Sequence, residues 1–243
     1  MRILQARLEA AKATGAALSH FYGDQLGFPM LADKGGLGFG VGRTRLEFSP
    51  TNDREPFYHF AFRVPRNRFV AACEWLARHA ELLSEHHSNE TTFQFPNWNA
   101  EACYAYDPGG NIVELIAHRG LPDESPDSGP FAARELLGVC ELGVVGDDPP
   151  AMARALEPLG IKLWDGTLDL PGRLAFMGGP DGTLILAAAG RGWMPTGRVA
   201  EPFEVNVDVA GAQDAEVTVP GTPHQVRTVA GGGLIGATCA TMS

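Results

Sequence analysis

The sequence is short of the features that mark secreted, membrane-spanning or nucleic-acid-binding chains. Its four cysteines, Cys73, Cys103, Cys140 and Cys239, are scattered and form no CxxC pair. That argues against a disulfide framework or a zinc knuckle, and for reduced thiols in a cytoplasmic protein. No unbroken apolar run is long enough to span a bilayer. Residues 1–18 mix Arg2, Arg7, Glu9 and Lys12 among alanines and lack the apolar stretch of a secretory signal. Positive charge is scarce too: 19 Lys and Arg stand against 29 Asp and Glu, a formal net charge of −10. This balance excludes non-specific binding to nucleic acid or to an anionic membrane. GxSxG, P-loop and dinucleotide fingerprints are all missing. A small-molecule substrate is the partner that remains.

What is present is punctuation. Thirty glycines and eighteen prolines fit many short strands joined by tight turns. The run RGLPDESPDSGP, between apolar segments, reads as a linker over residues 119–131. Before it lie two similar units. The first has a strand at 3–8, a helix over 14–25 and short strands near 28–31, 37–41 and 44–49. The second has a strand at 57–64, a helix over 66–83 and strands at 102–106 and 112–117. Phe69, Cys73, Leu76, Ala80 and Leu83 mark the apolar face of that second helix. Beyond the linker the order recurs: strand 138–145, helix 149–159 capped by Asp147 or Asp148, a hairpin at 174–177 and 184–188, and strand 203–209. After Gly211 no helix is expected, only strand-like pieces at 217–219 and 226–229 and a glycine-rich tail. A repeat of this length, three and a half units in all, signals duplication.

Two residues stand out chemically. Glu114 interrupts the apolar run IVELI, where an unpaired carboxylate would cost several kcal/mol or become protonated. It needs a partner, either a cation or an ordinary Arg or Lys. His59 lies in the strand FYHFAFR, where alternation puts His59, Ala61 and Arg63 on one face and Phe60 and Phe62 on the other. Such a histidine is a metal ligand or a hydrogen-bonded structural residue.

Three stretches, HFYGDQLGFPM (20–30), YHFAFRVP (58–65) and YAYDPGGNIVELIAHRG (104–120), resemble the vicinal oxygen chelate superfamily. Its members include glyoxalase I, extradiol ring-cleaving dioxygenases, and fosfomycin and bleomycin resistance proteins. The resemblance covers residues 1–120 and continues more weakly to about residue 210. It implies an α+β fold of paired βαβββ modules whose sheets curl around a metal site. On that basis one complete metal-binding domain spans 1–120, and a degenerate second copy spans 132–243.

The resemblance places His59 and Glu114 on ligand positions. In the first strand it selects Gln5, or Arg7 if the register shifts by two. Glu47 resembles the glutamate that glyoxalase I uses in its corresponding strand, or else belongs to a solvated face with Arg43 and Arg45. Gln5, Glu47, His59 and Glu114 together would hold one divalent metal, Zn, Ni, Mn, Co or Fe. Glu114 or Glu47 would be the catalytic base, and Arg45, Trp98, Asn99 and Tyr104 would line the substrate pocket. The aromatic stretch at 93–99, like Arg191 and Trp193, either covers a pocket or packs an edge, and His86 and His87 fall in a solvated loop. In the second half Glu141 stands where a ligand could sit and Glu204 where the histidine would be. Residues 183–186 hold no carboxylate, so this half is expected to bind no metal. The function implied is a metal-dependent lyase or isomerase acting on a vicinal-oxygen carbonyl compound. The alternatives are an Fe(II) extradiol-type dioxygenase, for which a second histidine is lacking, and a non-catalytic binding protein of the bleomycin-resistance kind.

Overall fold

The computed structural model describes residues 1–32, 35–52, 54–85 and 89–231. The expectations for His86, His87 and Cys239, and for the tail beyond residue 231, fall outside the described residues. The first unit is β1 (Ile3–Ala11), a helical stretch containing α1 (Gly15–Ser19) and a π-type turn His20–Gln25, then β2 (Met30–Leu31), β3 (Leu37–Val41) and β4 (Thr44–Thr51). The second is β5 (His59–Arg63), α2 (Phe69–Ala77), β6 (Thr92–Phe95), β7 (Ala100–Tyr106) and β8 (Ile112–His118). The third is β9 (Gly138–Gly146), α3 (Pro149–Leu156), β10 (Leu163–Gly166), β11 (Ala175–Gly179) and β12 (Gly182–Ala188). A small ribbon follows, β13 (Gly192–Trp193) with β14 (Arg198–Val199), and the last unit is β15 (Val205–Gly211), β16 (Ala215–Thr218) and β17 (Gln225–Ala230), without a helix.

The modules pair in a way that local spacing does not show. One sheet has the order β16-β17-β15-β1-β4-β3-β2, the other β10-β11-β12-β9-β5-β8-β7-β6. The first unit therefore pairs with the last, and the second with the third. The stretch 119–131 connects β8 to β9 within one sheet and does not divide the fold into a 1–120 half and a 132–243 half. Nor is it a loose tether. Arg68 reaches Glu135 at 2.8 Å and the Gly129 carbonyl at 2.6 Å, Arg66 reaches Glu124 at 2.6 Å, and buried Arg63 pairs with Asp123.

Local rules account for most of the elements. Asp148 caps α3 by accepting from the Ala151 amide at 3.0 Å, with Pro149 and Pro150 in the first turn. Helix α2 buries Phe69, Ala72, Cys73 and Leu76, and Cys73 Sγ lies 2.9 Å from Cys103 Sγ on β7. The helix ends at Ala77, short of the expected 83, because Leu82 already bridges to Ala105. The larger apolar core joins one face of each sheet, with Leu8, Leu46 and Phe48 meeting Phe60, Phe62, Leu142 and Leu184 and the helices packed on them. A second cluster, including Ala61, Phe93, Ala102, Tyr104, Ile112, Ile185 and Trp193, lies on the other face of the eight-stranded sheet. That face carries the cavity described next. Among the described residues, no helix is long and apolar enough to cross a membrane.

The tight connection between β7 and β8 sets the position of Glu114. Buried Asp107 accepts from the amides of Gly109 (2.8 Å) and Asn111 (2.9 Å), from Asn111 Nδ2 (2.8 Å) and from the Tyr22 hydroxyl (2.7 Å). Asn111 Oδ1 in turn accepts from the Tyr58 amide at 2.8 Å, and the Ile112 amide donates to the Tyr58 carbonyl at 2.8 Å. Gly110 takes φ +79°, and a Cβ there would also come within 2.8 Å of Arg198. The DPGGN turn thereby locks β8 against β5 in the register that places Glu114 beside Ala61.

Candidate metal centre

His59 opens β5, and Glu114 stands in β8 two residues past Ile112, the register partner of His59. On the opposite side β9 pairs with β5 so that Ala61 meets Glu141. Neighbours in register share a face, so all three side chains converge on one narrow cavity of about 60 Å³. They are 6 %, 2 % and 3 % exposed respectively. His59 Nε2 and Glu114 Oε2 share a hydrogen bond of 2.9 Å, and the Tyr104 hydroxyl donates to Glu114 Oε1 at 3.1 Å. His59 Nδ1 and Glu141 Oε1 are buried with no partner.

Burial pushes Glu114 up to about 8, against the hydrogen bond from Tyr104. Burial also pushes Glu141 up to about 8, and the Glu114 carboxylate adds to the shift. It pushes His59 down to about 4, with Glu141 pulling the other way. Three buried ionisable groups, two with an atom lacking any partner, leave the site electrostatically incomplete. A divalent cation fits the deficit, since it would let both carboxylates ionise and would accept the imidazole lone pair. Among the described residues no three such side chains stand as a ready-made coordination cluster. Two of the three donors are engaged with each other, and a cation would have to replace their hydrogen bond.

The register explains why there are three candidate ligands. Glu114 lies two residues past the β8 partner of His59, and Ile185 lies two past Thr183, the β12 partner of Glu141. Ile185 therefore fills the fourth symmetric position, consistent with its place in the cavity lining. The remaining wall is mostly aromatic, Phe95, Trp98, Tyr104, Phe176 and Trp193, with Leu174, Met194 and Arg191 beside them. Trp193 lies over His59 with ring centroids 5.1 Å apart. Gly143 makes room for it, because a Cβ there would come within 2.9 Å of the indole. Asn99, in the left-handed region at φ +47°, ends the turn Pro96–Trp98 that presents Trp98.

The four residues expected to share one metal do not meet. Gln5 and Glu47 belong to the seven-stranded sheet, where Gln5 Nε2 donates to Glu47 Oε2 at 2.7 Å. Glu47 also pairs with Arg45, and with Arg7 at 3.5 Å. Arg7 and Arg227 hold Asp208 at 2.8 and 2.5 Å. In this sheet arginines already neutralise the carboxylates, so Glu47 has no call for a cation and cannot serve as base at the other sheet. Of the expected pocket residues, Trp98 and Tyr104 line the cavity, whereas Arg45 and Asn99 do not. Glu204 is also remote from it and accepts from Asn206 at 2.7 Å. Glu141 is the residue the sequence reading set aside. Its signal, one carboxylate within the apolar run VCELGVV, matches that of Glu114.

No protein-family model matches the sequence, and a search of curated proteins gave no match either. Solved structures do match. A candidate dioxygenase from Bacillus subtilis subsp. subtilis str. 168 superposes with TM-score 0.59 at 13 % identity, over 94 % of this chain and 85 % of that one. Glyoxalase I from Zea mays gives TM-score 0.52 at 15 % identity, over 93 % and 92 %. Four strand-rich modules joined in pairs, with a cavity holding three buried ionisable groups on one curled sheet, give this chain the vicinal oxygen chelate fold that the sequence motifs implied.

Proposed function

We propose that this protein is a metal-dependent enzyme of the glyoxalase type, a lyase or isomerase acting on a small carbonyl compound with a second oxygen on the neighbouring carbon. One observation carries the reading: His59, Glu114 and Glu141 converge in a narrow cavity with buried donor atoms that no group among the described residues satisfies. The His59 imidazole and the carboxylates of Glu114 and Glu141 would hold the ion. One imidazole and two carboxylates suit Zn, Ni, Mn, Co or Fe(II) alike. A bound divalent metal would supply Lewis acidity to the two vicinal oxygens of the substrate. Tyr104 orients Glu114 through its hydroxyl. Glu141, with one oxygen off the ion, would take a proton from the carbon that carries the second oxygen and return it to the carbonyl carbon. Phe95, Trp98, Phe176 and Trp193 keep bulk water out during that transfer.

The test is elemental analysis of protein purified without added metal. About one divalent ion per chain is expected, in keeping with a single site. His59→Ala and Glu114→Ala should each lose the ion while still melting cooperatively. Retention of metal by both variants would overturn the assignment. The aromatic wall also suits a non-catalytic binding protein for an apolar ligand, and that reading requires metal-free protein in the same analysis. The dioxygenase reading is disfavoured because His59 is the only histidine lining the cavity among the described residues, whereas ring-cleaving sites use two histidines and one carboxylate. Oxygen-electrode traces with several catechols and Fe(II) should therefore show no uptake. Rapid uptake abolished by His59→Ala would reverse that conclusion.

A further inference from the structure

The narrow cavity opens beside a wider one. A vestibule of about 500 Å³ is lined by Asn97, Asp165, Thr167, Arg173 and Arg191, and it shares Leu174, Phe176 and Arg191 with the metal cavity. The inner cavity, at about 60 Å³, holds an ion and the oxygen-bearing head of a substrate, so the body of the substrate must lie in the vestibule. Leu174, Phe176 and Trp98 line the passage, with Trp98 packed on Phe176 at 4.6 Å and on Trp164 at 4.9 Å between ring centroids.

The vestibule lining carries two arginines and one carboxylate, so positive charge is in excess. Neither Arg173 nor Arg191 has a carboxylate partner among the described residues. Arg191 spends Nε on the Gly172 carbonyl (3.1 Å) and Nη1 on the Gly192 carbonyl (2.6 Å), which leaves Nη2 without a partner. Burial and the neighbouring Arg173 together lower the Arg191 pKa, so the two guanidiniums repel each other. The one carboxylate in the vestibule lining, Asp165, accepts from the Trp98 indole at 2.5 Å. A dication below would neutralise Glu114 and Glu141. In a chain of net charge −10, two unpaired arginines facing one opening are an unusual feature.

Resting on the metal-enzyme reading, we propose that the substrate carries an anionic group, a carboxylate or phosphate, at the end opposite its vicinal oxygens, and that Arg173 and Arg191 bind it. The body between the two ends is apolar and flat, of about one ring, because it passes between Leu174, Phe176 and Trp98. Arg191 borders both cavities and sets the distance from head to anion, while Arg173 closes the outer side.

Three probes test this, read by quenching of the cavity tryptophans. 2-Hydroxyacetophenone supplies the vicinal oxygens and the ring; 4-(hydroxyacetyl)benzoate and 4-(hydroxyacetyl)phenyl phosphate add a carboxylate or a phosphate. One or both anionic probes should bind at least about tenfold tighter than the neutral one, a difference of about 1.4 kcal/mol; whichever gains more identifies the anion. Arg173→Met should erase most of that gain and leave the neutral probe's affinity unchanged, and Arg191→Met should weaken the anionic probes more than the neutral one. Equal binding of all three probes overturns the proposal. So does equal weakening of neutral and anionic probes in the variants, or failure of both anions to bind at millimolar concentration. Metal content is measured on the same preparations. Metal-free protein that still prefers an anion through these arginines would sink the metal reading alone, and metal-loaded protein without the preference would sink the anion site alone.

Discussion

Glu141→Ala is expected to abolish the divalent-metal binding proposed for this cavity, whereas Glu47→Ala and Gln5→Ala are expected to leave metal content unchanged. The contrast separates two ligand sets that the family pattern alone would confuse. Glu141 lies beside Ala61 on the strand next to His59, is 3 % exposed, and has one oxygen with no partner. Removing it leaves one imidazole and one carboxylate, too few to retain a divalent ion against dilution. Groups that merely orient ligands cost about 10–100-fold in affinity when lost, so a direct ligand should cost at least about 100-fold. Activity, once a substrate is found, should fall with occupancy. Glu47 is committed elsewhere, to Gln5, Arg7 and Arg45. The side chains of Arg7 and Arg45 are 31 % and 21 % exposed, so water screens them once the carboxylate is gone. Glu47→Ala should therefore cost only about 1 kcal/mol of stability. Loss of metal from Glu47→Ala, together with its retention by Glu141→Ala, would restore the pattern expected from the first strand.

The two outcomes turn on a feature that the sequence does not carry locally. Most elements of the first three units were legible from their own residues: alternation in FYHFAFR, helical spacing from Phe69 to Leu76, Asp148 before two prolines, and a turn at DPGGN. Glu114 was legible because a lone carboxylate in an apolar strand demands a partner. Glu141 presents the same signal in VCELGVV. The missing carboxylate at 183–186 argues against a metal in the second half, and that reading separates Glu141 from His59 and Glu114. Which module pairs with which depends on contacts between distant strands: β5 meets β9, and β1 meets β15. A module's internal spacing is the same for either pairing, so periodicity cannot choose between them. The ion pairs from Arg63 and Arg66 into the stretch 119–131 are likewise invisible until the chain is folded. Strand β6 went unread because its aromatic residues run directly into the turn at Pro96.

Asp107→Ala is expected to lower stability by about 3–4 kcal/mol and the melting temperature by roughly 10 °C, given about 1–3 kcal/mol for each buried polar group left unsatisfied and about 2–4 °C per kcal/mol in a chain of this size. The carboxylate is 5 % exposed and accepts four hydrogen bonds. Its removal orphans the hydroxyl of Tyr22, which is fully buried, as well as two amides of the turn and the Asn111 side chain. Burial raises the Asp107 pKa while these four donors lower it, so the bonds are what make the carboxylate tolerable at that depth. Tyr22→Phe isolates one of the four and should cost only about 1 kcal/mol, because Asp107 keeps its backbone donors. The consequence reaches the candidate metal centre as well. Without Asp107, Asn111 no longer holds the Tyr58 amide, the registration of β8 on β5 loosens, and Glu114 loses its fixed position beside His59. Metal affinity should therefore fall in Asp107→Ala by about 10-fold or more, as for other groups that orient ligands, and stay unchanged in Tyr22→Phe. Thermal melts and metal titrations of the two variants test both halves. If Asp107→Ala melted within about 2 °C of the parent protein, the turn would be held by its backbone alone, and the route from Asp107 to Glu114 would be wrong.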